Sequence, residues 1–201
     1  MRRRTLIAST GIVSLGAFAT ASFMGQTAQA QTAQAQTAQT QTPDLENMLY
    51  LDIKQGRVII QLLPDLAPAH VERIKTLARQ GFYDNTPFHR VIEGFMAQGG
   101  DPTGTGTSGS KLPNLKAEFS TSRQFLRGVC GMARSGDPNS ANSQFFIMFA
   151  PSAQLNGQYT IWGQVVKGME FVDQIKRGAS GSGAVSDPDR IIKMRVAADV
   201  K

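Results

Sequence analysis

At 201 residues, with 41% hydrophobic and 18% charged residues, the chain has room for one soluble domain plus some surplus. Those values exclude a disordered or wholly membrane-embedded protein. The formal charge is +6, but Lys and Arg are scattered among acidic residues, without the clustered basic face that a nucleic-acid binder needs.

The surplus lies at the N-terminus. Arg2, Arg3 and Arg4 precede an uncharged apolar run from Leu6 to Met24, and Ala28-Gln29-Ala30 supplies a small-x-small cleavage site. Residues 1–30 therefore read as a cleavable export signal. The run is diluted by Thr, Ser and Gly and is near the lower length limit for a span, so a membrane anchor is the weaker reading. The pair Arg3-Arg4 fits either general or twin-arginine export. Subtracting the three arginines of the signal from +6 leaves +3 for the mature chain. The expectation is an exported protein, periplasmic or secreted, with no membrane association after cleavage.

Residues 31–45 carry "QTAQAQTAQTQTP" and no large apolar side chain before Leu45, so they read as a flexible tether. A second cleavage site, Ala33-Gln34-Ala35, lies inside it. One domain is expected over 46–201. It opens with "MLYLDIKQGRVIIQLL", whose alternation on both sides of Gln55-Gly56 predicts a β-hairpin. "APAHVERIKTLARQG" predicts a helix, with Pro68 in the first turn, Val71, Ile74, Leu77 and Ala78 at helical spacing, and Gly81 past its end. His70, polar and on this helix, reads as solvated. Five short strand-like runs follow: "TPFHRVI", "GFMAQG", "FLRGVCGMA", "SQFFIMF" and "YTIWGQVV". "MEFVDQIKR", between Gly168 and Gly178, predicts a second helix, and "RIIKMRVAA" a last strand. Many short strands and only two helices predict a β-barrel or sandwich.

Gly104-Thr105-Gly106-Thr107-Ser108-Gly109 fits the dinucleotide fingerprint G-x-G-x-x-G. The fingerprint works only where a helix opens directly behind it and presents its N-terminus to the phosphates. Here Ser110-Lys111-Leu112-Pro113 follows, and Pro113 opposes such a helix. The glycines then read as a mobile surface loop, and no nucleotide is expected. His70 and His89 have no Cys or His at ligand spacing and no evident serine partner, so neither a metal nor a hydrolytic triad is indicated. Cys130 is the single cysteine, cannot form an internal disulfide, and reads as a small buried residue of a strand. Arg90 stands between Phe88 and Val91-Ile92, a strand setting in which a charge must face outward or find partners.

Taken together, "FHRVIEGFMAQGGD", "GMARSGDPNSANSQFFI" and "LNGQYTIWGQVVKGMEFVDQI" resemble the cyclophilin-type peptidyl-prolyl cis-trans isomerases, from about Met48 to the end of the chain. The resemblance implies a mainly-β fold, a closed eight-stranded antiparallel barrel capped by two α-helices, with the proline site on its outer face. It implies that Arg90 is the catalytic arginine and that Gln98 holds its guanidinium. Phe95, Met96, Phe146 and Leu155 would form the proline pocket. Ala133, Arg134, Ser135, Gln144 and Tyr159 would line the peptide groove. Gln154 stands where the family often has Trp, and Tyr159 where it often has His. Without the indole, the large apolar face and N–H donor that favour strong cyclosporin binding are missing. The implied function is isomerisation of X-Pro bonds in exported proteins by a monomer, with proline-containing polypeptides as partners and no cofactor. The alternative is a noncatalytic proline-binding chaperone or interaction module using the same groove.

Overall fold

In a computed structural model, which describes residues Asp44–Lys201, the first hairpin forms from the alternation seen in the sequence. β1 (Met48–Ile53) turns Leu49, Leu51 and Ile53 inward and β2 (Gly56–Leu62) does the same with Val58, Ile60 and Leu62. The two strands pair antiparallel, Leu51 opposite Val58. The export signal and the tether up to residue 43 lie outside the described residues.

α1 (Pro68–Arg79) starts with Pro68 in its first turn and buries Val71, Ile74, Leu77 and Ala78 against the sheet. His70 differs from the expectation of a solvated residue: it is fully buried on the same face, four residues before Ile74. Its Nδ1 lies 2.6 Å from Glu118 Oε2. The Glu118 carboxylate also accepts from the backbone N–H groups of Ala69 and His70, both at 3.1 Å. Ala67 makes no side-chain cap at this helix start, so Glu118 satisfies the exposed donors from a distant loop.

The runs that follow become β3 (Arg90–Ile92), β4 (Met96–Gly99), β5 (Val129–Met132), β6 (Phe145–Met148), β7 (Ile161–Lys167) and β8 (Ile191–Val196). One antiparallel sheet joins all eight strands in the order β3-β4-β6-β5-β7-β2-β1-β8. The sheet curls into an open half-barrel and is not the closed barrel that the resemblance implies. β3 has three residues, and its outer edge is covered by the 178–185 segment. Val91 donates to Gly183 O at 2.8 Å and Gly178 donates to Val91 O at 2.9 Å. With that edge occupied, β3 forms no ladder with β8, and the two rims meet only through the isolated Pro87–Arg190 bridge and neighbouring backbone bonds.

The second helix is also shorter than expected. α2 spans Met169–Val172, and the chain then tightens, with Gln174 and Ile175 donating to Phe171 O and Val172 O. The Lys176 N–H goes instead to the buried Asp189 carboxylate at 2.9 Å, which draws the backbone away from a helical path.

The sheet packs on both faces. Val91, Ala97, Ile147 and Cys130 lie in one cross-strand row and belong to the main core, with Trp162 and Phe145 fully buried beside them. Burial pushes the Cys130 thiol far up, consistent with an inert packing residue. On the opposite face, Met96, Phe146, Met148, Val129 and Ile161 form a second, smaller apolar cluster.

Two buried histidines give the fold a pH dependence. Desolvation lowers the pKa of His70 despite the facing Glu118, with Arg73 adding to the effect. It also lowers that of His89, against the opposing pull of Asp101 and with Arg90 nearby. The unfolded chain takes up these protons near pH 6.5 and the folded chain resists them. Their contribution is therefore complete above about pH 6.5 and is lost as pH falls toward the lowered folded values. Each histidine can tilt stability by up to about 1.4 kcal/mol per pH unit in that window. Denaturant titrations at pH 7.5, 6.5 and 5.5 should show the midpoint dropping before any carboxylate titrates. A flat profile would contradict this.

Candidate active site

Alternation along the strands brings the site together. Arg90 on β3 lies opposite Gln98 on β4, Gln98 opposite Phe146 on β6, Phe146 opposite Gly131 on β5, and Gly131 opposite Ile161 on β7. This row belongs to the outer face, so a charged guanidinium, an amide and an aromatic ring stand side by side on the smaller apolar cluster.

All eleven residues singled out in the sequence line two adjoining cavities. Arg90, Phe95, Met96, Gln98, Ala133, Arg134, Phe146, Leu155 and Tyr159 surround a space of about 200 Å³. Its floor is apolar: Met96 and Phe146 are almost fully buried, and Leu155 is nearly so. The Tyr159 ring meets Phe146 edge-on with centroids 5.8 Å apart. Arg134 lays its guanidinium 4.5 Å over the Tyr159 ring and is held there by Gln158 O, at 3.0 and 3.2 Å. The second cavity, about 490 Å³, shares Gln98, Ala133 and Arg134 with the first and adds Ser135, Gln144 and the 106–110 loop.

Polar bonds hold these side chains in position. Arg90 Nη1 donates to Gln98 Oε1 at 3.2 Å and its Nε donates to Ser182 O at 3.2 Å. Gln98 Nε2 donates to Gln144 Oε1 at 3.0 Å. A guanidinium carries five N–H donors, so Arg90 keeps donors for a ligand at the rim of the apolar floor. Ala133 donates its N–H to Gln144 O at 2.9 Å, and Ser135 donates to Ser140 Oγ at 2.9 Å, which shapes the far wall.

The glycine-rich loop is more ordered than the sequence suggests. Gly104 and Gly106 have φ of 73° and 82°, a region open to glycine, and their turns point backbone N–H groups inward. Those donors converge on an anion, but it is the protein's own Asp101, fully buried, and not a phosphate. His89, which precedes β3, packs against this loop, with ring atoms 3.3 Å from where a Cβ on Gly106 would stand.

Three contributors escaped motif reading. Asn142 accepts from Ser110 N and Oγ at 2.8 and 2.7 Å and donates to Leu112 O at 2.9 Å, which ties the second cavity's rim together. Phe125 stacks on Phe146 with centroids 5.6 Å apart. Gly131 leaves the space in which both rings lie, since a Cβ there would press on Phe146 Cζ and stand 2.7 Å from Phe125 Cε1. The only signal for Phe125 and Gly131 was their place in an apolar strand run. Gly131→Ala should therefore push Phe146 into the cavity, cost about 1–3 kcal/mol by overpacking, and weaken proline-peptide binding. Thermal unfolding and a peptide titration on the same variant check this; unchanged affinity would mean that the ring accommodates the methyl.

The comparisons bear on what such a site does. Residues 48–196 match the family model for "Cyclophilin type peptidyl-prolyl cis-trans isomerase/CLD". A probable peptidyl-prolyl cis-trans isomerase of Brucella suis is 53% identical over 170 residues, covering 79% of this chain and 86% of that protein. An isomerase of Dictyostelium discoideum is 37% identical over 151 residues, 74% of this chain and 96% of that one. Among solved structures, a cyclophilin of Hirschia baltica superposes with a TM-score of 0.71 at 27% identity, covering 79% of this chain and 76% of that one. A Cryptosporidium parvum cyclophilin-type isomerase, crystallised in the presence of the dipeptide Ala-Pro, gives 0.68 at 29% identity, covering 74% and 98%. With the family model spanning nearly the whole described domain, a half-identical relative and the same fold, this chain belongs to the cyclophilin-type peptidyl-prolyl cis-trans isomerases.

Proposed function

We propose that the chain isomerises X-Pro bonds in exported polypeptides, with the prolyl ring seated on Phe146, Met96 and Leu155 and Arg90 donating to the prolyl nitrogen. The observation that carries this reading is the position of Arg90: a guanidinium fixed by Gln98 at the rim of an apolar-floored space of about 200 Å³.

Rotation about the peptide bond breaks its partial double bond, at a barrier of about 20 kcal/mol and a timescale of about 10–100 s. In the twisted transition state the resonance is gone and the nitrogen becomes pyramidal with a lone pair. A donor aimed at that lone pair stabilises the transition state more than either planar ground state. One hydrogen bond from a charged donor contributes about 1.5–3 kcal/mol, roughly ten- to a hundredfold in rate. The rest comes from holding the ring still while the preceding residue rotates, and from excluding the water that solvates the planar amide dipole. Ser135, Gln144 and the backbone beside Arg134 take the residues preceding the proline.

Export rests on the n-region, apolar run and cleavage motif of residues 1–30, and the shallow, open groove favours broad selectivity among unfolded or newly translocated clients. A noncatalytic proline binder needs only the apolar floor, and the presence of Arg90 with its Gln98 brace favours the enzyme. A refolding assay separates the two. A client whose slow phase is limited by proline isomerisation should fold faster with substoichiometric amounts of this protein. A slow phase that is unchanged or lengthened would favour the binder.

A further inference from the structure

The glycine-rich loop joins the arginine to a buried carboxylate. Asp101 is fully buried and no Lys, Arg or His pairs with it as a salt bridge among the described residues. Its carboxylate instead accepts from Gly106 N at 2.7 Å, Thr103 N at 2.8 Å and Ser108 N at 3.2 Å. The hydroxyls of Thr103 and Thr105 donate to it as well, at 2.8 and 3.4 Å. Burial alone would raise its pKa, but the hydrogen bonds from Thr103, Ser108 and Gly106 outweigh that and hold it below the usual carboxylate value.

The carbonyls of two of these same residues face the groove. Gly106 O and Ser108 O both accept from Gln144 Nε2, at 3.1 and 2.8 Å. Two carbonyls at one end of the Gln144 amide require its NH₂ there, so its Oε1 must face Gln98. That in turn requires Gln98 to turn its NH₂ toward Gln144 and its Oε1 toward Arg90, as the 3.0 and 3.2 Å bonds show. The peptide unit that carries Gly106 O donates its Thr107 N–H to Thr105 Oγ1 at 3.3 Å, and Thr105 Oγ1 donates to Asp101 at 3.4 Å, so the donors point one way from the guanidinium through Gln98, Gln144 and the loop to the carboxylate. A chain of aligned hydrogen bonds with a cation at one end and an anion at the other polarises cooperatively.

We propose that Asp101 is a positioning residue for Arg90, acting through the 103–108 loop and the two glutamine amides. It touches no substrate; it sets which way Gln144 and Gln98 point and therefore where Arg90 is held. The inference rests on the reading of Arg90 as the donor to the prolyl nitrogen. Asp101→Asn keeps the shape of the side chain but replaces one acceptor oxygen with an NH₂ that opposes the loop's N–H groups.

The test measures kcat and KM for an X-Pro peptide, together with NMR signals of the Gln98 and Gln144 side-chain amides. The proteins are wild type, Asp101→Asn, Arg90→Ala and Asp84→Asn. Asp84 pairs with Arg195, away from both cavities, and serves as the control for lost stability alone. Well below its own unfolding temperature, Asp101→Asn should lose about 10- to 100-fold in kcat with little change in KM, and the two amide signals should shift. Asp84→Asn should be less stable with kcat intact. If Asp101→Asn does not fold, Thr103→Val with Thr105→Val, both at exposed positions, removes two donors to the carboxylate and should lower kcat in the same direction. Normal kcat and unshifted amides in a folded Asp101 or double-threonine variant would overturn the proposal, as would an equal kcat loss in Asp84→Asn. If Arg90→Ala itself keeps full activity, it is the underlying assignment of Arg90 that fails.

Discussion

Arg90→Ala should lower kcat for an X-Pro peptide about 10- to 100-fold while KM changes little and the fold is kept. The magnitude is that of one charge-assisted hydrogen bond made only in the transition state. The small effect on KM follows because the apolar floor proposed to seat the prolyl ring, Phe146, Met96 and Leu155, survives the substitution. The fold should hold because Arg90 is only partly buried and Gln98 Oε1, left without its donor, borders a cavity that water can enter. Arg90→Lys should fall between the two. It keeps the charge but loses the planar fork that serves Gln98, Ser182 O and the ligand together. Steady-state exchange measurements with circular dichroism on the same samples check both halves. A variant whose KM rises tenfold at constant kcat would place Arg90 in ground-state binding instead.

Phe146→Ala should give the opposite kinetic pattern and the larger stability loss. Phe146 is 5% exposed, stacks on Phe125 and meets Tyr159 edge-on, so truncation removes the floor of the cavity and the partner of two rings. Full Phe→Ala truncations in cores cost about 3–5 kcal/mol, and one face of this ring borders the open cavity, so about 2–4 kcal/mol is expected. The lost apolar contact with a prolyl ring, about 1.5–3 kcal/mol, should raise KM at least tenfold. The Arg90–Gln98–Gln144 bonds do not involve this side chain, so the chemistry at saturating substrate should suffer less. Phe146→Leu should recover much of both losses. An unchanged KM in Phe146→Ala would show that proline does not sit on this ring.

Why the site could be read from the sequence is visible in the row Arg90, Gln98, Phe146. Each residue lies in a short apolar run whose alternation sends its neighbours Val91, Ala97 and Ile147 into the main core. Period two therefore assigned the face, and the family resemblance supplied the roles. The parts that were not legible depend on tertiary partners. His70 had helical spacing for burial, four residues before Ile74, but its polarity argued for solvent; Glu118, 48 residues away, is what allows it inside. The glycines at 104–109 read as a mobile surface loop; that their N–H groups converge on the neighbouring Asp101 is visible only in three dimensions. Helical spacing over 169–177 could not reveal that Asp189 claims the Lys176 N–H. A closed barrel failed at β3 for the same kind of reason, since the segment that covers its edge comes from 178–185.

The role of Arg90 is decided by the cis–trans exchange rate of a short X-Pro peptide at saturating protein, by NMR exchange spectroscopy, for wild type beside Arg90→Ala. Fast catalysed exchange is expected with wild type, and with Arg90→Ala a bound peptide that exchanges about 10- to 100-fold more slowly. A peptide that binds both proteins and exchanges at the same rate in each would contradict that role.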